Sequence, residues 1–324
     1  MISRRKVMLA FGAGVFAAPR TGFSQAAPPA VRRIGILSSV DHATYPVLVD
    51  ALRRLGYEEG KNAQLLLRSA QSDSKRLPAL ARELVDAQVE VIVAINTPGA
   101  QAAIDATKTI PIIITLVGDP VGSGFVTSLA RPGGNVTGVT NMNAELASKR
   151  LSILHEMAPG AKRIAVLYDP VSPVNEPQIR NIKVAAPKLG VDVRFYPVKT
   201  LPELPETFNT LLAWRAQAAI WLGGQPQIYQ PGTIALAAKY KLPVMVGSLV
   251  NVAEGGLIAY SPDPAELFKR TAVYVDKILK GARAGELPVE QPTHFELAIN
   301  LKTAKALELK VPQAILLQAT KVIE

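Results

Sequence analysis

The stretch Val89–Gly122, VEVIVAINTPGAQAAIDATKTIPIIITLVGDPVG, decides the architecture. Val89–Ile95 is a short, β-branched apolar run of strand length. Thr97–Thr107 follows with Pro98 at the first helical position, where a missing N–H costs nothing. Pro111–Val117 (PIIITLV) is a second apolar run, of the kind found in strands buried on both faces. Two such strands joined through one short helix form a βαβ unit, which requires a parallel pairing.

The same alternation extends outward in both directions. Upstream lie a strand at Ile34–Ser38, a helix at Tyr45–Leu55 closed by Gly56, a strand at Ala63–Arg68 and a helix at Arg76–Ala87. Downstream the pattern restarts. Arg163–Tyr168 is a strand, a helix ends at Leu189-Gly190, and Val191–Val198 is the next strand. Strands at Ala219–Leu222, Pro243–Gly247, Leu257–Tyr260 and Phe295–Asn300 and helices at Glu266–Leu279 and Leu301–Leu309 complete the reading. The order strand, helix, Leu-Gly, strand occurs at both Ile34 and Ile164, a weak internal repeat. The expectation is an α/β protein of two similar, doubly wound parallel-sheet lobes. No low-complexity linker separates them, so several short crossings near Asn141, Glu254-Gly255-Gly256 and Pro288–Pro292 form a multi-strand hinge.

The 324 residues suffice for about two domains. Hydrophobic residues make up 48% and charged residues 19%, which excludes a disordered chain. Cysteine is absent, so thiolate nucleophiles, thiolate metal sites and disulfides are excluded. His42, His155 and His294 lie far apart, so no metal site is expected. The net charge of +10 includes Arg4, Arg5, Lys6 and Arg20 and no acid from the first 30 residues, leaving +6 on the rest. That modest, scattered excess is a solvated surface and not a nucleic-acid footprint.

The N-terminus reads as an export signal, residues 1–26. Arg4-Arg5-Lys6 precede the apolar stretch Val7–Ala18, which is shorter than the ~18 residues of a membrane span, and cleavage falls after Ala26 or Ala27. Ser3–Leu9 also resembles a twin-arginine motif, so either export route fits. The expected location is the periplasm.

In parallel α/β lobes, ligands bind beyond the carboxyl ends of the strands. Asn96, Thr97, Pro98 and Gly99 follow one such strand, with Thr97 expected as the N-cap and the Gly99 and Ala100 amides facing a carboxylate. Asp119 and Pro120 follow the next strand, with Asp119 suited to an ammonium or hydroxyl group and equally to a turn. Asp41 and His42 occupy the equivalent place after the first strand, Asp169 through Asn175 that in the second lobe, and Gly224 and Gln225 follow Leu222. Tyr45 and Tyr168 are candidates to stack on an apolar ligand body. No nucleophile elbow, Walker loop or dinucleotide fingerprint follows a strand of the mature chain, so no catalytic residue and no cofactor is expected.

Long blocks then carry a resemblance: Thr97–Ala103 (TPGAQAA), Gly118–Thr140 (GDPVGSGFVTSLARPGGNVTGVT), Gly255–Pro264 (GGLIAYSPDP), Tyr274–Ala282 (YVDKILKGA) and Leu287–Leu307 (LPVEQPTHFELAINLKTAKAL). From about Ile34 to the C-terminus the chain resembles the ABC transporter substrate-binding protein family, whose better understood members bind tryptophan and related aromatic amino acids. The resemblance implies a type I periplasmic-binding fold, with 31–140 and 255–283 in one lobe and 141–254 and 284–324 in the other. It also implies a monomer that delivers a small ligand to a membrane permease with its ATPase. Thr97, Pro98 and Gly99 match the family's loop around the ligand carboxyl group. Asp119 and Pro120 match another cleft loop, Asn175 an asparagine of the second lobe and His42 a histidine of the aromatic-binding branch; Asn141, at the first crossing, is a further ligand-binding candidate. Gly223-Gly224-Gln225 departs from the Thr-Asp-Asn of that branch, which removes a carboxylate for an α-ammonium group. The expected ligand is therefore a small carboxylate, an amino acid among the candidates, with α-amino recognition weak. A sensor partner feeding a receptor and a cleft enzyme are the alternatives.

Overall fold

The computed structural model describes residues 31–324 except 171, 173 and 223–228. The export signal and the Gly224-Gln225 pair therefore lie outside the described residues.

The first lobe is a five-stranded sheet, order β2-β1-β3-β4-β5, formed by β1 Arg32–Ser38, β2 Ala63–Ser69, β3 Val91–Ile95, β4 Ile112–Val117 and β5 Val136–Thr140. All its pairings are parallel. Helices α1 Tyr45–Arg54, α2 Leu77–Asp86 and α3 Asn96–Ala106 make the first three connections, and a helix-free segment joins β4 to β5. The fully buried β3 and nearly buried β4 sit centrally, as their apolar composition requires. One face packs Leu80, Leu84, Ala100 and Ala103 against Ile92, Ile112 and Ile114.

The other face packs Leu48 and Leu52 of α1 and Phe268, Ala272 and Val275 of α9 (Pro264–Leu279) on Ile34, Val91 and Ile113. Helix α9 starts cleanly because Asp263 accepts the Ala265 N–H at 2.9 Å while Pro264 fills the first helical position.

The second lobe is a seven-stranded sheet, order β12-β11-β10-β9-β8-β6-β7. Its strands are β6 Arg163–Tyr168, β7 Asp192–Pro197, β8 Ala218–Trp221, β9 Val244–Met245, β10 Ile258–Ser261, β11 Glu296–Asn300 and β12 Lys321–Ile323. Its helices are α4 Asn143–Met157, α5 Asn175–Ala185, α6 Leu204–Ala213, α7 Tyr229–Lys239, α8 Leu249–Ala253, α10 Leu301–Ala306 and α11 Gln313–Gln318. Against the expectation of wholly parallel lobes, β11 runs antiparallel to β10. The chain reaches β11 by returning from the first lobe, so no crossover helix within the second lobe constrains its direction.

The crossings also differ from the expected boundaries. Ile258–Ser261 pairs with β9 and β11, so 255–261 belong to the second lobe. Residues 284–290 stay with the first: the Gly133 N–H donates to the Gly285 carbonyl and the Thr140 N–H to the Glu290 carbonyl, and the Tyr274 hydroxyl bonds Pro288 O. The chain thus passes between lobes at 140–143, 261–264 and 290–296.

Candidate functional site

A cavity of about 300 Å³ lies between the two sheets at the crossings. The first lobe contributes the loop Ser39–Thr44 after β1, the start of α3 and Leu116 of β4. The second contributes Asn143, Val174, Gly247-Ser248, Val250, Glu254 and Ser261, while Asn141 and Pro262 come from the crossings.

Of the residues chosen from sequence, the structure brings Asp41, His42, Asn96, Thr97, Pro98 and Asn141 to this cavity. The roles at α3 change. Asn96 has φ +62° and its Oδ1 accepts the Gly99 N–H at 3.2 Å, so Asn96, not Thr97, caps the helix. Its Nδ2 donates to Ser39 Oγ at 2.7 Å, locking the first loop onto α3. The Gly99 amide expected to face a carboxylate is therefore occupied, and Gly99 is buried against the Leu37 carbonyl. Thr97 and Pro98 remain at the cavity wall.

Asp119 and Pro120 form a turn instead of a pocket edge: Asp119 Oδ1 accepts the Gly122 N–H at 2.7 Å, and the Pro120 carbonyl accepts that of Phe125. Asp169 is buried, and its backbone carbonyl accepts Asn175 Nδ2 at 2.8 Å. Asn175 in turn receives Gln178 Nε2 at 3.3 Å, so both residues brace the loop before α5. Tyr168 packs into the second-lobe core, and Tyr45 borders a side cavity of about 180 Å³ behind His42.

His42 stands edge-on to Phe268, ring centroids 5.2 Å apart at 66°. Its Nδ1 is 2.6 Å from Thr44 Oγ1 and accepts the Thr44 N–H at 3.5 Å. A backbone N–H only donates, so Nδ1 carries no proton and Nε2 is the N–H of the neutral ring. Burial pushes the imidazole pKa below its ordinary value of 6.5. The unfolded chain therefore takes up the proton first on acidification. Stability contributed by the neutral ring is complete above about pH 6.5 and is lost as pH falls through the lower folded value. Melting curves from pH 8 to 5 are expected to separate wild type from His42→Gln only on the acid side, where the wild type falls more steeply. A separation independent of pH would contradict this.

Leu116 gave no sequence signal. Its φ of +57° is rare for a branched residue and marks stored strain of about 1–3 kcal/mol. The register shift between Ile114 and Val117 makes this bulge. The Leu116 carbonyl accepts Asn141 Nδ2 at 3.2 Å and the Val117 carbonyl accepts the Asn141 N–H at 3.0 Å, so the bulge and the first crossing hold each other.

This geometry, a ligand-sized cavity between two α/β lobes joined by three crossings, defines a binding protein of the periplasmic type. The profile of ABC transporter substrate-binding proteins matches residues 32–323, and the chain belongs to that family. A tyrosine-binding protein of Clostridioides difficile is 29% identical over 283 residues, 86% of this chain and 81% of that protein. The structure of an ABC domain from Streptococcus pneumonia in complex with L-Trp is 27% identical, with TM-score 0.84 over 90% of this chain and 99% of that one. A ligand-free, open substrate-binding protein with adhesive properties from Clostridium difficile is 29% identical with the same coverage, but superposes with a TM-score of only 0.65.

Proposed function

We propose that this chain is an exported binding protein that captures a small carboxylate-bearing ligand, an amino acid or aromatic acid, between its lobes and delivers it to a membrane permease driven by an ATPase. The observation that carries this reading is the cavity between the lobes itself. At about 300 Å³ it has the size of a small-molecule site, and polar groups from both lobes converge on an apolar lining of Val40, Leu116, Val174 and Val250. The charged residues lining it are Asp41 and Glu254, which suit an ammonium group; His42 Nε2–H and the start of α3 offer donors to oxygen.

The lobe arrangement supports capture by closure. At similar identity and equal coverage, the chain superposes better on the L-Trp-bound relative than on the open, ligand-free one. The leader read in residues 1–26 supports export to the periplasm.

The test is calorimetry and thermal shift with the amino acids, small carboxylates and aromatic acids, each paired with its amide. At least one acid is expected to bind with a fall in radius of gyration, and saturation at ~100 times its Kd should add about 2.7 kcal/mol of stability. Silence across the whole panel would overturn small-molecule capture. Equal affinity for acid and amide would overturn the carboxylate assignment.

A further inference from the structure

We propose that Asn143 and Ser261 form an anion subsite on the second-lobe wall of the cavity, charged from behind by the buried Arg150, which takes a carboxylate oxygen of the ligand. The inference deepens the reading above and depends on it only for the carboxylate being the ligand's own.

Arg150, in the middle of α4, is only 2% exposed. A buried guanidinium is ordinarily held by a carboxylate, because an uncompensated charge in a low dielectric is costly. Its hydrogen bonds here go to neutral acceptors. Nε donates to the Tyr260 carbonyl at 2.8 Å and an Nη to Asn143 Oδ1 at 2.9 Å. Burial accordingly lowers the guanidinium pKa from its usual range to about 10, which still leaves the group charged at neutral pH.

Both acceptors connect this charge to the cavity. Asn143 lines it, and Ser261, which also lines it, follows Tyr260 directly. A guanidinium has donors and no acceptor, so Asn143 must turn its oxygen toward Arg150. The amide Nδ2, with two N–H donors, then faces away from Arg150. Ser261 supplies the second, independent sign. It is 7% exposed, and among the described residues its Oγ has no hydrogen-bond partner. A buried hydroxyl without a partner carries a desolvation cost that a ligand oxygen would relieve. A hydroxyl donor and an amide donor lining one cavity, backed by a buried positive charge, are the chemistry of a carboxylate site.

Asp41 and Glu254 carry the negative charge of the cavity lining, and Arg150 places a positive charge behind Asn143. Arg150 touches no ligand in this scheme. It is a positioning residue that fixes the Asn143 amide and supplies the field. All three residues belong to the second lobe, so the subsite is complete whether the lobes are open or closed.

The probe is bromide alone, located by anomalous diffraction in crystals of wild type, Ser261→Ala, Arg150→Lys and Arg150→Met. Wild type and Arg150→Lys, which keeps the charge, are expected to show bromide within hydrogen-bond distance of Ser261 Oγ and Asn143 Nδ2. Ser261→Ala should show it at less than half that occupancy, and Arg150→Met should show none. An empty site in wild type, or an unchanged peak in Ser261→Ala or Arg150→Met, overturns the proposal. If Arg150→Met fails to fold, wild type, Arg150→Lys and Ser261→Ala decide alone. A bromide site together with silence across the acid panel would leave the subsite standing and overturn carboxylate capture.

Discussion

Gly138→Ala is expected to destabilise the protein by about 2–6 kcal/mol, the sum of overpacking and backbone strain. Gly138 has φ +135°, and a Cβ built on it would lie 2.1 Å from the Ile114 carbonyl oxygen and 2.7 Å from Ile114 N. Both are backbone atoms of the paired strand, which cannot rotate aside as a side chain would. The close approach exists because β4 bulges between Ile114 and Val117, and that bulge carries Leu116 to the cavity. One glycine thus permits both the fifth strand of the first sheet and the shape of the site wall. Thermal unfolding should show a midpoint lowered by about 4–24 °C, at about 2–4 °C per kcal/mol. Gly160→Ala is the matched control: nothing lies within 4 Å of its built Cβ, so its change should stay within about 0.5 kcal/mol. If the two variants melt alike, the packing argument at the bulge is wrong.

The architecture was readable because its strands announce themselves by composition. The apolar runs at Val89–Ile95 and Pro111–Val117 leave little choice but buried parallel strands, and the structure places them centrally. Val136–Thr140 (VTGVT) escaped because a glycine at its centre lowers strand propensity, while the pairing that stabilises it is long-range. Helix α4 escaped for a related reason. Buried positions fall on more than one side of it, Arg150 among them, so its hydrophobic periodicity is blurred.

At the site, residues next to strand ends were found by position. Asp41, His42, Asn96, Thr97 and Pro98 follow β1 and β3 directly, where ligands of such folds bind. The same rule led to Asp119 and Asp169, whose local hydrogen bonds divert them to turns and braces. Second-lobe residues such as Asn143, Ser248, Glu254 and Ser261 were not found. They meet only through the crossings, and no local spacing marks them. Distinguishing Asn96 from Thr97 as the cap likewise needs the backbone, because a left-handed asparagine moves the cap by one residue.

The second large effect is expected from Gly118→Leu, which should weaken ligand binding about 10- to 100-fold, equivalent to about 1.4–2.8 kcal/mol. Gly118 directly follows β4 in the first lobe, yet its built Cβ would lie 3.2 Å from Val174 Cγ2 and 3.3 Å from the Asn143 Cβ, both in the second. Those contacts are tight for one added carbon, and leucine adds three more into the same gap. The clash exists only while the lobes are together. Its backbone dihedral lies outside the range that disfavours L side chains, so the open form accepts the substitution without strain. The variant is therefore a wedge: it taxes the closed state alone, and apparent affinity falls by the fraction of closed protein lost. Unliganded wild type and variant should melt within about 0.5 kcal/mol of each other, the usual range for a surface change. Solution scattering should show the variant resisting contraction at ligand concentrations that close the wild type. Undiminished affinity in Gly118→Leu would mean that the lobes do not meet at Gly118, Asn143 and Val174 when ligand is held, and closure would then have to pivot elsewhere.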